Sequence, residues 1–128
     1  MKTSAWVAVC GLGLAMTAGL SLRVSSAQEE LDPLKVAADT HRLLFENQFV
    51  RVIGAQVPPG AVEPKHRHMR GVTVHLADYD VEQKTFPDGK TSRGHRSFGA
   101  VTWSEAGVHE VKNVGTTPSH AIRVELKM

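Results

Sequence analysis

From Thr40 to the C-terminus, apolar and polar residues alternate in short runs and show no period of three to four. HAIRVELKM, at the end of the chain, is the clearest case. Ile122, Val124 and Leu126 fall on one side of an extended segment, and Arg123, Glu125 and Lys127 on the other. In GVTVHLA the same rule sets Val72, Val74 and Leu76 against Thr73 and His75. Runs rich in β-branched and aromatic residues also occupy 49–57 (FVRVIGAQV), 71–86 (GVTVHLADYDVEQKTF), SFGAVTW and VHEVKNV. Pro58-Pro59-Gly60, Pro87-Asp88-Gly89-Lys90 and Gly115-Thr116-Thr117-Pro118 separate them, and the second of these is a strong hairpin signal. Strands recurring at this spacing predict an all-β domain, a sandwich or barrel of antiparallel strands.

The first residues are of another kind. Lys2 precedes the apolar run Trp6–Leu20, and Val24-Ser25-Ser26-Ala27 offers small residues where a signal peptidase reads, so residues 1–27 are expected to be an export signal cleaved before Gln28. The run is shorter than the roughly 20 apolar residues of a membrane span and is broken by Thr17, Ser21 and Arg23; a membrane association follows only if the segment is retained. The expected location is the periplasm or the medium. Residues 28–39 read as a polar lead-in, and 40–128 as one domain.

Export changes both the cysteine count and the charge. The only cysteine, Cys10, leaves with the signal, and so do Lys2 and Arg23, which account for the whole formal charge of +2. A neutral, cysteine-free domain excludes disulfides and thiol chemistry and weakens any nucleic-acid reading. Nucleophile elbows, phosphate loops and paired carboxylates are missing, so nothing supports hydrolysis by a protein nucleophile or phosphoryl transfer.

The candidate chemistry lies in the histidines. Three of seven fall in GAVEPKHRHMRGVTVHL, as His66, His68 and His75. His66 and His68 are two apart, so on a strand both imidazoles project to one side and can share an ion. Read without that company, KHRHMR, with Lys65, Arg67 and Arg70, is a basic surface loop. Glu63 reads as solvated, and His41, His95 and His120 have no partner at ligand spacing. Arg51, flanked by Val50 and Val52, is either a surface arginine or a contact for a substrate carboxylate.

Gly60 to His68 (glycine, five residues, His-x-His) together with GAVTWSEAGVHEVKN, Gly99 to Asn113, resembles the two motifs of small single-domain cupins, in the right order and with a hairpin between. The second motif departs from the pattern. Glu105 stands where proline is usual, and one residue, where two are usual, separates Gly107 from His109. The resemblance implies a six- to eight-stranded antiparallel barrel, the double-stranded β-helix or jelly roll. It also implies one divalent metal ion (Fe, Mn, Zn, Cu or Ni) in the lumen, held by His66, His68 and His109. The glutamate that completes the family's set is due at Val72 or Thr73, and neither can ligate in its place. His75 shares the wall of Thr73 and is the candidate fourth ligand, partner to a ligand, general base or substrate contact, set against a plain histidine hydrogen-bonded in a polar pocket, the favoured reading. Asn113 reads as a turn residue.

Two functions remain open at this level. One is a metal-dependent dioxygenase or related oxidoreductase acting on a small organic acid or carbonyl compound. The other is a non-enzymatic module that binds metal or a small-molecule ligand. Homodimers are common among the proteins that the chain resembles.

Overall fold

The structure is a computed structural model and describes residues 30–128. The expected export signal lies outside the described residues. Among those described, no helix is long and apolar enough to cross a membrane.

The chain enters through one helical turn, α1 (Pro33–Val36), that the sequence announces locally: the Asp32 carboxylate accepts from the Leu34 N–H at 3.0 Å, and Pro33 occupies a position where no amide hydrogen is needed. Nine strands follow: β1 (His41–Glu46), β2 (Val50–Val57), β3 (Val62–His68), β4 (Gly71–His75), β5 (Tyr79–Phe86), β6 (Thr91–Arg96), β7 (Val101–Ser104), β8 (Gly107–Asn113) and β9 (Ser119–Leu126). They form a five-stranded sheet in the order β1-β2-β9-β4-β7 and a four-stranded sheet in the order β3-β8-β5-β6, every pairing antiparallel.

Two expectations change. The apolar run 71–86 is two strands, because Leu76-Ala77-Asp78 breaks it and sends β4 and β5 to different sheets. Gly71 begins β4 so close to β9 that a Cβ there would lie 2.0 Å from the Val124 carbonyl oxygen, an approach only glycine permits. The lead-in is also part of the packed domain. Pro33 and Ala37 are buried, the Arg67 N–H donates to the Leu31 carbonyl at 2.8 Å, and Asp32 receives Arg51. Its few apolar side chains suffice because the barrel offers it a hydrogen-bonding edge and a buried cation.

The Pro87-Asp88-Gly89-Lys90 turn joins β5 to β6 as expected, with Gly89 at φ 69° and the Thr85 hydroxyl donating to Asp88 at 2.9 Å. Asn113 does more than close a strand. Fully buried, it donates to the carbonyls of Val57 at 2.9 Å and Thr117 at 2.8 Å and accepts from the Gly115 N–H at 3.0 Å, tying the ends of three segments together.

The strand alternation holds, but the buried side is the polar one. Along β9, Ser119, Ala121, Arg123 and Glu125 face inward, while Ile122, Val124 and Leu126 face outward and are half-buried. Among the described residues seven apolar side chains, Pro33 included, are buried against ten polar or charged ones, so the interior between the sheets is a lined chamber and not an oily core.

Candidate metal centre

β3 carries His66 and His68 on its inner side, both buried, and β8 brings His109 directly opposite His66 in register. The residue missing from the second motif does not rotate His109 outward, since β8 pairs with β3 so that His109 stands against His66. The rings of His66 and His109 lie 4.6 Å apart, those of His66 and His68 4.8 Å, and those of His68 and His109 5.4 Å.

A fourth ring joins them from β1. His41, which has no partner by sequence spacing, is buried with its ring 5.0 Å from His66 and 5.6 Å from His68. One ring nitrogen from each of His41, His66 and His68 lies within 4.8 Å of the others, so these three buried histidines could hold a metal ion.

Hydrogen bonds fix which nitrogen each ring offers. The Nδ1 of His66 lies 2.7 Å from the Pro64 carbonyl, which can only accept, and the Nδ1 of His68 lies 2.5 Å from the Glu125 carboxylate. The Nδ1 of His41 is 3.0 Å from the Thr40 hydroxyl, whose own proton goes to the Ala37 carbonyl at 3.1 Å. All three rings therefore donate through Nδ1 and keep a bare Nε2 lone pair, the form in which imidazole binds a cation. The Nε2 atoms of His66 and His109 are 3.0 Å apart. Two ligands on bonds of about 2.0–2.1 Å are separated by about 2.9 Å at a right angle and about 3.4 Å at a tetrahedral one, so the spacing fits adjacent positions on one ion.

Burial keeps the rings neutral. Desolvation, reinforced by neighbouring imidazoles, pulls His41 down to about 4 and His109 down to about 2, and pulls His66 and His68 down as well.

Glu63, expected in solvent, is buried too, and Nε2 of His41 stands 3.8 Å from its carboxylate. It stands three positions before His66, an odd spacing that strict alternation would place on opposite faces. A bulge in β3 between Glu63 and His66 turns both inward. Pro64 inside the strand was the available sign of that bulge. Desolvation pushes the Glu63 carboxyl up to about 8.

Glu125 is the hub behind the histidines. Besides His68 it accepts from Arg51 Nε at 2.9 Å and from the Met69 N–H at 3.3 Å. Burial pushes its pKa up, and Arg51 pulls it partly back. Arg51 in turn reaches Asp32 at 2.7 Å, so it is neither a surface arginine nor a substrate contact. Its guanidinium is spent on two carboxylates. Arg123 sits beside this hub, donating to Thr73 at 3.0 Å, to Ser104 at 2.8 Å and to the Met69 carbonyl.

A cavity of about 470 Å³ opens between the sheets and is walled by His41, Glu63, His68, His109 and Arg123 at this end. His75 lines it elsewhere, and both of its ring nitrogens are committed, Nδ1 to the Tyr79 hydroxyl at 2.6 Å and Nε2 to the Thr102 hydroxyl at 3.3 Å. It is not among the convergent rings. His95 pairs with Asp80 on the exposed outer surface, and His120 is half-buried on the outer side of β9.

No protein-family model matches the chain, and no curated protein matches it. Solved structures do. A cupin domain from Bordetella pertussis is 26% identical, with a TM-score of 0.63 over 69% of this chain and 92% of that one. An RmlC-like cupin with a double-stranded β-helix fold from Methanocaldococcus jannaschii is 14% identical, with a TM-score of 0.55 over 67% of this chain and 77% of that one. Two facing antiparallel sheets agree with the fold of those neighbours: the described residues have the fold of a small cupin domain.

Proposed function

We propose that the protein binds one divalent metal ion through His66, His68 and His109, with His41 in the place of the family's absent glutamate, and presents it to a small organic acid or carbonyl compound in the cavity. The observation that carries this reading is the convergence of buried, neutral imidazoles, three of them with Nδ1 already engaged and Nε2 bare. An all-imidazole set suits Fe, Zn, Cu or Ni. When bound, such an ion supplies Lewis acidity and, if redox-active, electron transfer to dioxygen.

The chain's own residues do the rest. Glu125 fixes the tautomer and direction of the His68 ring, the Pro64 carbonyl does the same for His66, and Thr40 for His41. Four neutral ligands leave the ion's charge uncompensated, and Arg123 adds another positive charge on the same wall, so the chamber favours an anion. An oxidative reaction on a small acid or carbonyl compound is the activity that this arrangement supports best, in a protein exported from the cytoplasm. A non-enzymatic metal store is the second reading. Four imidazoles saturate a tetrahedral ion and leave it no open position.

Metal content after exhaustive dialysis tests the proposal. One ion per chain in the wild type and none in the His66→Ala, His68→Ala double variant are expected; full retention in the double variant overturns the site. Oxygen uptake with a panel of small acids and diketones then separates the two readings. Substrate-dependent uptake supports the enzyme, and tight metal without turnover the store.

A further inference from the structure

At a distance in sequence from every histidine of the convergent set, the cavity wall carries a cation that the fold has turned inward. β6 is an edge strand, and its outward residues Arg93 and His95 pair with Glu82 at 2.7 Å and Asp80 at 2.9 Å. Arg96 belongs to the other face. It stands opposite Tyr79 in register, as Gly94 stands opposite Val81, and both partners are buried residues of the chamber.

Unlike Arg51 and Arg123, Arg96 has no carboxylate within ion-pair distance among the described residues; its one hydrogen bond there goes to the carbonyl of His95 at 3.2 Å. The guanidinium lies back over Gly94, where a Cβ would come within 2.9 Å of Nη1. The absence of a side chain at position 94 is thus what lets the arginine lie against the wall. Its register partner Tyr79 has its hydroxyl held by His75, the same ring holds the Thr102 hydroxyl, and both residues line the cavity that Arg96 lines. The single carboxylate on that wall, Glu63, faces His41.

We infer that Arg96, with Tyr79 and Thr102, forms a second anion-recognising subsite in the chamber. Resting on the proposed metal centre, this makes the ligand a short aliphatic dianion that places one carboxylate at Arg96 and turns its other end to the histidines. A forked guanidinium in a partly dry cavity, with no acidic partner, is the group best suited to a planar carboxylate. The cavity of about 470 Å³ is ample for a dicarboxylate of a few carbons.

The test is calorimetric titration of the zinc-loaded protein with the dicarboxylates from malonate to adipate, each set against the monocarboxylate of the same chain length. At least one dicarboxylate is expected to bind about tenfold tighter than its monocarboxylate, the worth of one charge-assisted hydrogen-bonded contact. Arg96→Met should abolish that preference, Arg96→Lys should keep part of it, and Gly94→Ala, which displaces the guanidinium, should lower it, all with one zinc per chain unchanged. A wild type that holds its zinc but binds both acids of every pair alike, or an Arg96→Met variant that keeps the preference, overturns the subsite. Metal-free protein titrated in parallel keeps the two ideas apart. If no zinc binds but a dicarboxylate does, and Arg96→Met removes it, the subsite stands and the metal reading falls.

Discussion

On the outer face of the five-stranded sheet, one cross-strand row runs Val52, Val124, Val72, Trp103, and the next runs Gly54, Ile122, Val74, Val101. On the inner face the rows between them run Arg51, Glu125, Gly71, Ser104 and Ile53, Arg123, Thr73, Thr102. The same strands thus present β-branched packing to one side and ions and hydroxyls to the other. The outer rows need no partners, whereas the charged members of the inner rows, Arg51, Arg123 and Glu125, are buried and must be answered. Arg51 is answered by Asp32 and Glu125, and Arg123 by hydroxyls and a carbonyl. The difference shows where the energetic stakes lie. Here the apolar alternation makes a sheet, and the polar alternation makes a site.

Breaking the inner row should therefore have the largest effect. Glu125→Ala leaves the buried Arg51 with Asp32 alone, takes away the carboxylate 3.7 Å from Arg123 and strands the Nδ1 of His68, and a loss of about 3–5 kcal/mol is expected in denaturant unfolding of the metal-free protein. Glu125→Gln keeps the shape and removes the charge. It should destabilise less, and it should weaken metal binding by about 10- to 100-fold in competition with a chelator, because the His68 ring loses its anionic support.

The buried titratable groups act on stability in opposite directions. His41 and His109 are depressed to about 4 and about 2, so unfolded chains take up protons below about 6.5 while the folded chain does not. In the metal-free protein their contribution is complete above that pH and drains away as the pH falls, to about 4 for His41 and on toward about 2 for His109. Glu63, raised to about 8, behaves in the reverse sense: its contribution is present below about 4.5 and is lost as the pH rises to 8. Glu63→Gln should be neutral near pH 4.5 and increasingly stabilising toward pH 8, as read from midpoints across a pH series. The smallest effect belongs to the outer face, where Ile122→Val should cost about 0.5 kcal/mol and leave metal binding untouched.

How much of this was legible in the sequence follows the same division. Alternation in HAIRVELKM assigned every side chain to its correct face, and the turn residues located the β5–β6 hairpin. What alternation does not carry is which face is the inside. In an ordinary β domain the apolar side is buried, and here Arg123 and Glu125 are. The neighbourhood of His66, His68 and His109 could be anticipated from spacing and from the resemblance. His41 could not, because it reaches the site only through the pairing of β1 with β2, which no local pattern encodes. Glu63 was misplaced by one bulge, and Arg51 by the lead-in that turned out to supply Asp32. Arg96 was invisible for a different reason: inward and outward arginines on one short strand look alike until the neighbouring strand is known.

The most direct test is anomalous diffraction at the zinc edge from crystals of the zinc-loaded protein. A single strong peak about 2.0–2.1 Å from Nε2 of His66, His68 and His109, with His41 turned toward it, is the expected result. A chamber without a peak, with zinc only on surface groups such as His95 and Asp80, would contradict it.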